Sequence, residues 1–348
     1  MSETTCTQCT CQSAPITSVG TEWNLGDYLG AVAVRTNIGR MNYKVKPGLY
    51  AIGKPDAEAT VFVTSNYKLT FDHVRRALNG FDTWLLVMDT NGVNVWCAAG
   101  KGTFSTDELC RRIEATGLSK VVTHRRVILP QLGAVGVSAH EVAKRSGFSV
   151  IYGPVRAKDI PAWLAAGGKK DEAMRTVTFG LIDRLVLIPV ELTNAKNHIL
   201  ILLAVAMMLA IIQCKGLAGL APTLAGYAAQ LIGALFAGGI LVPALLPWLP
   251  TKAFSVKGAF AGLTWMAAMA LMAVGGAGNP FWSAFTGVWT LSGAFLASAT
   301  IAAYTGLNFT GATVYTSQTG TMMETRRALP LIAGAAAIGL ALQVVGAL

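Results

Sequence analysis

The sequence predicts an α/β Rossmann-like domain followed by an all-α transmembrane domain of five helices, on three observations. Charge is unevenly spread, with 23 Lys/Arg and 17 Asp/Glu in residues 1–198 but only 5 and 1 in residues 199–348. Short apolar runs alternate with helix-like stretches between residues 45 and 195, the pattern of a sheet with connecting helices. Five apolar segments come after them, each near the length needed to cross about 30 Å of hydrocarbon. At 53% hydrophobic and 13% charged residues over 348 positions, a purely soluble chain is excluded.

Residues 1–30 read as a tail without the charged start, apolar core and small-residue cleavage site of a secretory signal, which places the α/β domain in the cytoplasm and keeps its cysteines as thiols. Cys6, Cys9 and Cys11 in "CTQCTC" form a soft-metal trio by donor type; the reading adopted is a disordered tail with incidental thiols. In the α/β domain, residues 31–195, "TVFVTS" and "TWLLVMD" are strands. Between them "TFDHVRRALNG" is a helix from Thr70 to a stop at Gly80. Next, "STDELCRRIEATG" carries Ser105 and Glu108 at capping-box spacing and ends at Gly117. "KVVTH" and "RVILP" read as strand material, "SAHEVAKRSG" repeats the capping device with Ser138, Glu141 and Gly147, "FSVIYG" is a further strand and "KDIPAWLAAGG" a further helix.

The membrane domain, residues 196–348, holds spans at roughly 198–214, 224–247, 258–276, 281–304 and 328–348. Lipid satisfies no backbone polar group, so each must be helical. Lys252, Lys257, Arg326 and Arg327 fall in loops on the side of the α/β domain and Lys215 on the other. The positive-inside rule then predicts a multi-pass protein of the inner membrane with its α/β domain in the cytoplasm and its C-terminus outside. Residues 258–323 contain no Asp, Glu, Lys, Arg or His, which favours an anchor or docking surface over a pump. Gly, Ala and Ser, as in "SGAFLASATIAAY", allow close helix packing, and Pro243 and Pro247 are expected to kink or end the second span. The connector "TGLNFTGATVYTSQTGTMM" is long and polar. A net charge of +10 without a basic, aromatic-interleaved stripe points to lipid headgroups and away from nucleic acid. Whether the spans form a homo-oligomer stays open.

The segment "DTNGVNVWCAAGKG", residues 89–102, lies just after a strand, at the edge where such sheets bind ligands. It is not a phosphate loop, because Lys101 is followed by Gly102 and the glycine spacing fails. Glycines 92, 100 and 102 do not fit a dinucleotide fingerprint either. A Cys–His pair with His73, His124 or His140 has no sequence support, and the plain reading of Cys97 alone is a small buried hydrophobe.

"NVWCAAGK", Asn94–Lys101, resembles the cap-helix motif of the corrinoid protein of the microbial mercury-methylation pair, a family related to the large corrinoid subunits of the acetyl-CoA pathway. "GLYAIGKP", "VTSNYKL", "ILPQLGAVGVSAHEVAKRSGF", "YGPVRAKDIP" and "DRLVLIPVEL", with the five spans, extend the resemblance along nearly the whole chain. It implies a corrinoid-binding α/β domain with Cys97 thiolate as the lower axial ligand of cobalt. Asn94, Val95, Trp96, Cys97, Ala98, Ala99, Gly100 and Lys101, with Thr64, Asn66, Gly133 and Gly153, are the implied cofactor-binding residues. A helix N-terminus favours anionic sulfur, Trp96 and the alanines cover the ring face, and the glycines admit its edge.

The activity implied is transfer of a methyl group from cobalt to Hg(II). A soft electrophile needs a methyl group that arrives with bonding electrons, and a donating thiolate opposite the methyl favours that outcome. The implied partners are a methyltetrahydrofolate-type donor, the Hg(II) substrate and a ferredoxin-like iron–sulfur protein, since the chain has no four-Cys cluster pattern. Two alternatives stand beside it: a membrane-anchored corrinoid methyl carrier of one-carbon metabolism with a thiol or nickel acceptor, and a transporter or sensor with a Rossmann-like domain.

Overall fold

The runs "VFVTS" and "TWLLVM" are buried at every position, as strands covered on both faces must be. The computed structural model describes residues 16–214, 216–274, 284–285, 287–309 and 314–348. Cys6, Cys9 and Cys11, Lys215 and parts of the third and fourth predicted spans lie outside the described residues. The chain divides into two units, one of residues up to Val34 with Ile38–Val177, the other of Arg35–Asn37 with Thr178–Leu348. This division precedes residue 195, the point at which charge density falls.

The first unit is built on strands Thr17–Ser18 (β1), Gly48–Ile52 (β2), Val61–Ser65 (β3), Thr83–Met88 (β4), Arg126–Leu129 (β5) and Ser149–Tyr152 (β6). They form one mixed sheet in the order β1-β2-β4-β3-β5-β6. Among the described strands of this sheet only the β2–β4 pairing is antiparallel, a departure from an all-parallel Rossmann layer. Strands β3 to β6 are parallel, so their carboxyl ends share one edge. Helices of this unit are Leu25–Arg35 (α1), Lys68–Ala77 (α2), Val95–Lys101 (α3), Thr106–Ala115 (α4), Leu118–Val121 (α5), Ala139–Ser146 (α6), Ile160–Ala165 (α7) and Glu172–Arg175 (α8). Alternate strand residues go to opposite faces: Val63, Leu86 and Val127 pack with Leu109 of α4 and Val142 of α6, while Phe62, Leu85 and Ile128 pack with Phe71 of α2 and Trp163 of α7.

Several local expectations need correction. "KVVTH" is not a strand: Leu118 and Val122, four residues apart, are both fully buried, which one helical turn achieves and an extended segment does not. Helix α2 starts at Lys68, ahead of Thr70, because Lys68 and Arg75 clamp Asp72 and Asp27 at 2.5–2.8 Å. Ser105 does cap α4, accepting from Glu108 N at 3.3 Å, but Glu108 does not reach back. Its Oε1 accepts from Asp89 N at 2.8 Å instead. Ser138 makes no side-chain cap.

The clamp ties α1 to α2. Burial would raise the Asp27 pKa, but hydrogen bonds from Lys68, the Asn24 backbone and Arg75 outweigh it and hold the carboxyl below 3.8. Burial likewise opposes the charge on Lys68, and the Asp27 and Asp72 carboxylates reverse that and hold the ammonium above 10.5.

The second unit contains helices Leu181–Leu185 (α9), Ile188–Asn194 (α10), Lys196–Gln213 (α11), Leu217–Phe236 (α12), Val242–Leu245 (α13), Phe254–Val274 (α14), Val288–Asn308 (α15) and Gln318–Ala347 (α16). Five spans here, Lys196–Gln213, Leu217–Leu245, Phe254–Met272, Val288–Asn308 and Thr319–Ala347, are long and apolar enough to cross a membrane. The second runs from α12 through a π-helical turn at Ala237–Leu241 into α13; Pro243 has no N–H to donate to the preceding turn, and the ladder widens there. The polar connector is shorter than its sequence implies, since α16 already starts at Gln318 with Ser317 as its cap. Lys257 is not a loop residue but a buried one in α14, donating to Leu246 O and Leu249 O, both at 2.8 Å. Close packing of α14 on α15 depends on small residues. A side chain at Gly258 would meet Ala302 O at 2.2 Å, and one at Gly262 would meet Ser298 O at 2.1 Å.

Candidate functional site

The carboxyl edge of the sheet carries the candidate site, and a buried amide organises it. Asn66, at the end of β3 and 2% exposed, accepts through Oδ1 from Thr90 N (3.0 Å) and Gly92 N (2.9 Å) and donates through Nδ2 to Asp89 Oδ1 (3.0 Å). Glu108 holds Asp89 N from the other side, itself paired with Arg112 at 2.7 Å and with Arg111. The turn after β4 is thus clamped from two elements, with Asn91 and Gly92 at φ of 57° and 75°. Thr90 Oγ1 donates to Val93 O at 2.6 Å, and Asn94 then starts α3 by accepting from Cys97 N at 2.9 Å.

Helical spacing sorts the residues of α3 into two faces. Val95, Ala98 and Ala99 are buried and join the core with Phe104, Leu86 and Met88. Trp96, Cys97, Gly100 and Lys101 lie on the other face and are exposed, Trp96 by 43%. The Cys97 thiol is free and open to solvent. Gly102, at φ 77°, closes the helix in the left-handed conformation that costs glycine least.

A second piece locks α3 from the side. The 3₁₀ turn Gln131–Val135 after β5 leads to Gly136, where a side chain would meet Phe104 O at 2.1 Å and Ala99 Cα at 3.1 Å. Gln131 Oε1 accepts from Lys170 Nζ at 2.5 Å. Val135, at the tip of this turn, is 84% exposed. On the opposite flank the turn Arg40–Asn42 approaches Gly92, whose added Cβ would stand 3.5 Å from Met41 O, and Met41 is 71% exposed. Trp96, on the same exposed face of α3, is the apolar neighbour of Cys97 along the helix.

The structure brings the predicted residues to one edge but not to one surface. Asn66 spends its amide on the turn. Gly133 and Gly153 are buried; the space beside Gly133 is filled by the Phe104 ring, 2.6 Å from an added Cβ, and that beside Gly153 by Ile128. Ala98 and Ala99 face the core. Thr64 is 1% exposed, and its Oγ1, like Ser65 Oγ, has no hydrogen-bond partner among the described residues. Sequence reading missed the role of Glu108 at the turn, because a capping-box signal marked it for another task.

A thiolate is a strong ligand for a soft or borderline metal. Among the described residues no group of three or more His, Cys, Asp or Glu is placed to hold an ion. A metal on Cys97 would need its remaining ligands from a ring it arrives with, and a lone sulfur on the exposed face of α3 fits such a ring.

Residues 30–164 match the family described as CO dehydrogenase/acetyl-CoA synthase delta subunit. The chain is 34% identical over 127 residues to the acetyl-CoA decarbonylase/synthase complex subunit gamma of Methanopyrus kandleri, covering 36% of this chain and 27% of that one. It is 35% identical over 127 residues to the same subunit of Archaeoglobus fulgidus, with 36% and 27% covered, and 36% identical over 111 residues to that of Methanocaldococcus jannaschii, with 31% and 22% covered. The chain thus spans about a quarter of the length of these curated relatives. All predicted site residues fall in the matched segment, and the five apolar helices fall outside it.

These matches overturn the mercury-methylation expectation, both the family and the transfer to Hg(II), because they lie with subunits of acetyl-CoA decarbonylase/synthase. The physical reason is that "NVWCAAGK" specifies a helix and an outward thiol, and nothing in it selects a methyl acceptor.

Proposed function

We propose that the sheet unit binds a cobalt corrinoid at its carboxyl edge and serves as a methyl carrier of one-carbon metabolism, attached to a membrane by the five apolar helices. When bound, the corrinoid supplies a cobalt centre that accepts and releases methyl groups. One observation carries the reading: Cys97 stands exposed on a short helix whose other face is fixed in the core. The relatives' names, with an acetyl-CoA-forming or -cleaving complex in each, support one-carbon chemistry for this chain.

Each residue then has a task. Cys97 would hold the corrinoid through its sulfur, and the strength of that donor would be the protein's main control over the metal. Asn94 occupies the Cys97 N–H and so sets the helix start. Trp96, on the same helix face, would help exclude water around the sulfur. Asn66 and Glu108 hold the turn from β4 so that α3 does not drift. Partner proteins would complete the cycle: a methyltetrahydrofolate-type donor site, a ferredoxin-like iron–sulfur reductant, and a thiol or nickel acceptor. On this reading the sheet unit is cytoplasmic and the helical unit lies in the inner membrane.

Full-length protein loaded anaerobically with cobalamin tests the assignment. Bound cobalt(II) is expected to show no nitrogen splitting from an axial base in its electron paramagnetic resonance spectrum. In Cys97→Ala methyl transfer to a thiol or nickel acceptor should vanish while the fold persists. Cys97→His should regain nitrogen splitting but little activity. A wild-type spectrum unchanged in Cys97→Ala would remove the sulfur from the site.

A further inference from the structure

Helix α1 turns an apolar face outward. Leu25, Tyr28, Leu29 and Val32 are 73%, 48%, 61% and 60% exposed, at the spacing of one helical stripe. Ile38 and Met41 extend the patch at 66% and 71%. The opposite face, Asp27, Ala31 and Val34, is buried, and Asp27 is bolted to Arg75 and Lys68 at 2.6 and 2.5 Å. The helix cannot roll to hide its apolar stripe without breaking buried ion pairs, so the stripe is a surface held out for contact.

We propose that this face lies in the headgroup–acyl boundary of a bilayer containing acidic phospholipid. Three observations select lipid as the occupant. First, the chain leaves α1 into the helical unit: Arg35–Asn37 belong to that unit, and Asn37 Nδ2 donates to Asn194 Oδ1 at 2.8 Å, just ahead of the first apolar span at Lys196. The residues that follow α1 are thus tied to the approach of an apolar span. Second, the border of the patch is aromatic and cationic, the composition of membrane interfaces. Trp23 packs on Tyr28 with centroids 5.1 Å apart, under the Arg76 guanidinium at 5.5 Å. Third, Arg35 closes the last turn of α1 and Arg40 Nη1 donates to Val34 O at 3.3 Å, which sets two cations at the edge of the patch for attraction to acidic headgroups. This inference stands apart from the cofactor reading.

The test uses full-length protein in vesicles of phosphatidylethanolamine and phosphatidylglycerol, with a photo-crosslinking residue in place of Leu29 and, separately, of exposed Lys144 on α6. The expected result is an adduct of phospholipid mass at position 29, at least about tenfold more than at position 144. With Leu25→Ser and Val32→Ser added, both exposed and so tolerated by the fold, the yield at 29 should fall about tenfold. A dimer-sized adduct, equal lipid yields at 29 and 144, or no adduct at 29 overturns the proposal.

Discussion

The two units differ in where their buried ion pairs and amide contacts fall. The sheet unit holds buried, ionised pairs, Asp27 and Asp72 with Lys68 and Arg75 and Glu108 with Arg112, beside neutral Asn66 and Thr90. In the helical unit three helix-to-helix contacts run through neutral amides and a hydroxyl, and buried Lys257 is met by backbone carbonyls. Gln343 Nε2 donates to Gln230 Oε1 at 3.1 Å, Gln230 Nε2 to Ala294 O at 3.2 Å, and Tyr227 OH to Gln213 Oε1 at 2.9 Å. Ion pairs repay their desolvation only with several well-placed hydrogen bonds, which the four-charge clamp has. Spans of membrane length take hydrogen bonds of lower cost and approach through glycine.

The largest break in this contrast is expected from Arg75→Met, which leaves two buried carboxylates to Lys68 alone and should cost roughly 3–5 kcal/mol. Urea unfolding of the full chain in detergent, followed through the tryptophans of the sheet unit, measures it; a loss below about 1 kcal/mol would show that the clamp is not what secures α1. Next, Gly262→Leu drives a side chain into Ser298 O and should destabilise the helical unit by about 1–3 kcal/mol, read as a lowered Tm in the same detergent.

A pH series sharpens the comparison further. Asp27 is held below 3.8 in the folded protein, so its contribution is complete above that pH and is lost as pH falls through its folded value. Lys68 is held above 10.5, so its share is complete below that pH and is lost as pH rises through the folded value. Hydrogen exchange in α1 should accelerate at both extremes, while the Gln230–Gln343 contact, having no proton to lose, stays level. The smallest effect is expected for Gln343→Leu, about 0.6 kcal/mol, because the amide already leaves its Oε1 without a partner among the described residues. A loss of several kcal/mol in thermal denaturation would mean that this amide does more than join two helices.

Much of the site is legible from single residues. Asn94 and Cys97 announce a capped helix, and alternating runs mark β3 to β6; "KVVTH" misleads because its apolar positions suit a strand and a helical turn alike. The acceptor is misjudged because a short motif describes local geometry, and acceptor choice depends on surfaces it does not contain. Glu108 stands out for the wrong reason: its spacing fits a capping box, yet the nearby Asp89 N–H, which has no strand partner, takes its carboxylate. The packing role of Gly136 is not readable either, since the Phe104 and Ala99 backbone it meets lies far along the chain.

Local pattern by itself determined the two-part organisation and the five apolar helices, because charge distribution and periodicity act within a few turns of chain, whereas the plain reading of Cys97 as a buried hydrophobe was reversed by the structure. Tertiary structure alone decided that β2 runs antiparallel, that Asn66 serves the turn, that Gly136 is pressed against Ala99, and that α1 shows its apolar side. Those outcomes depend on which distant backbone or charge arrives at each position, and sequence spacing does not encode that arrival.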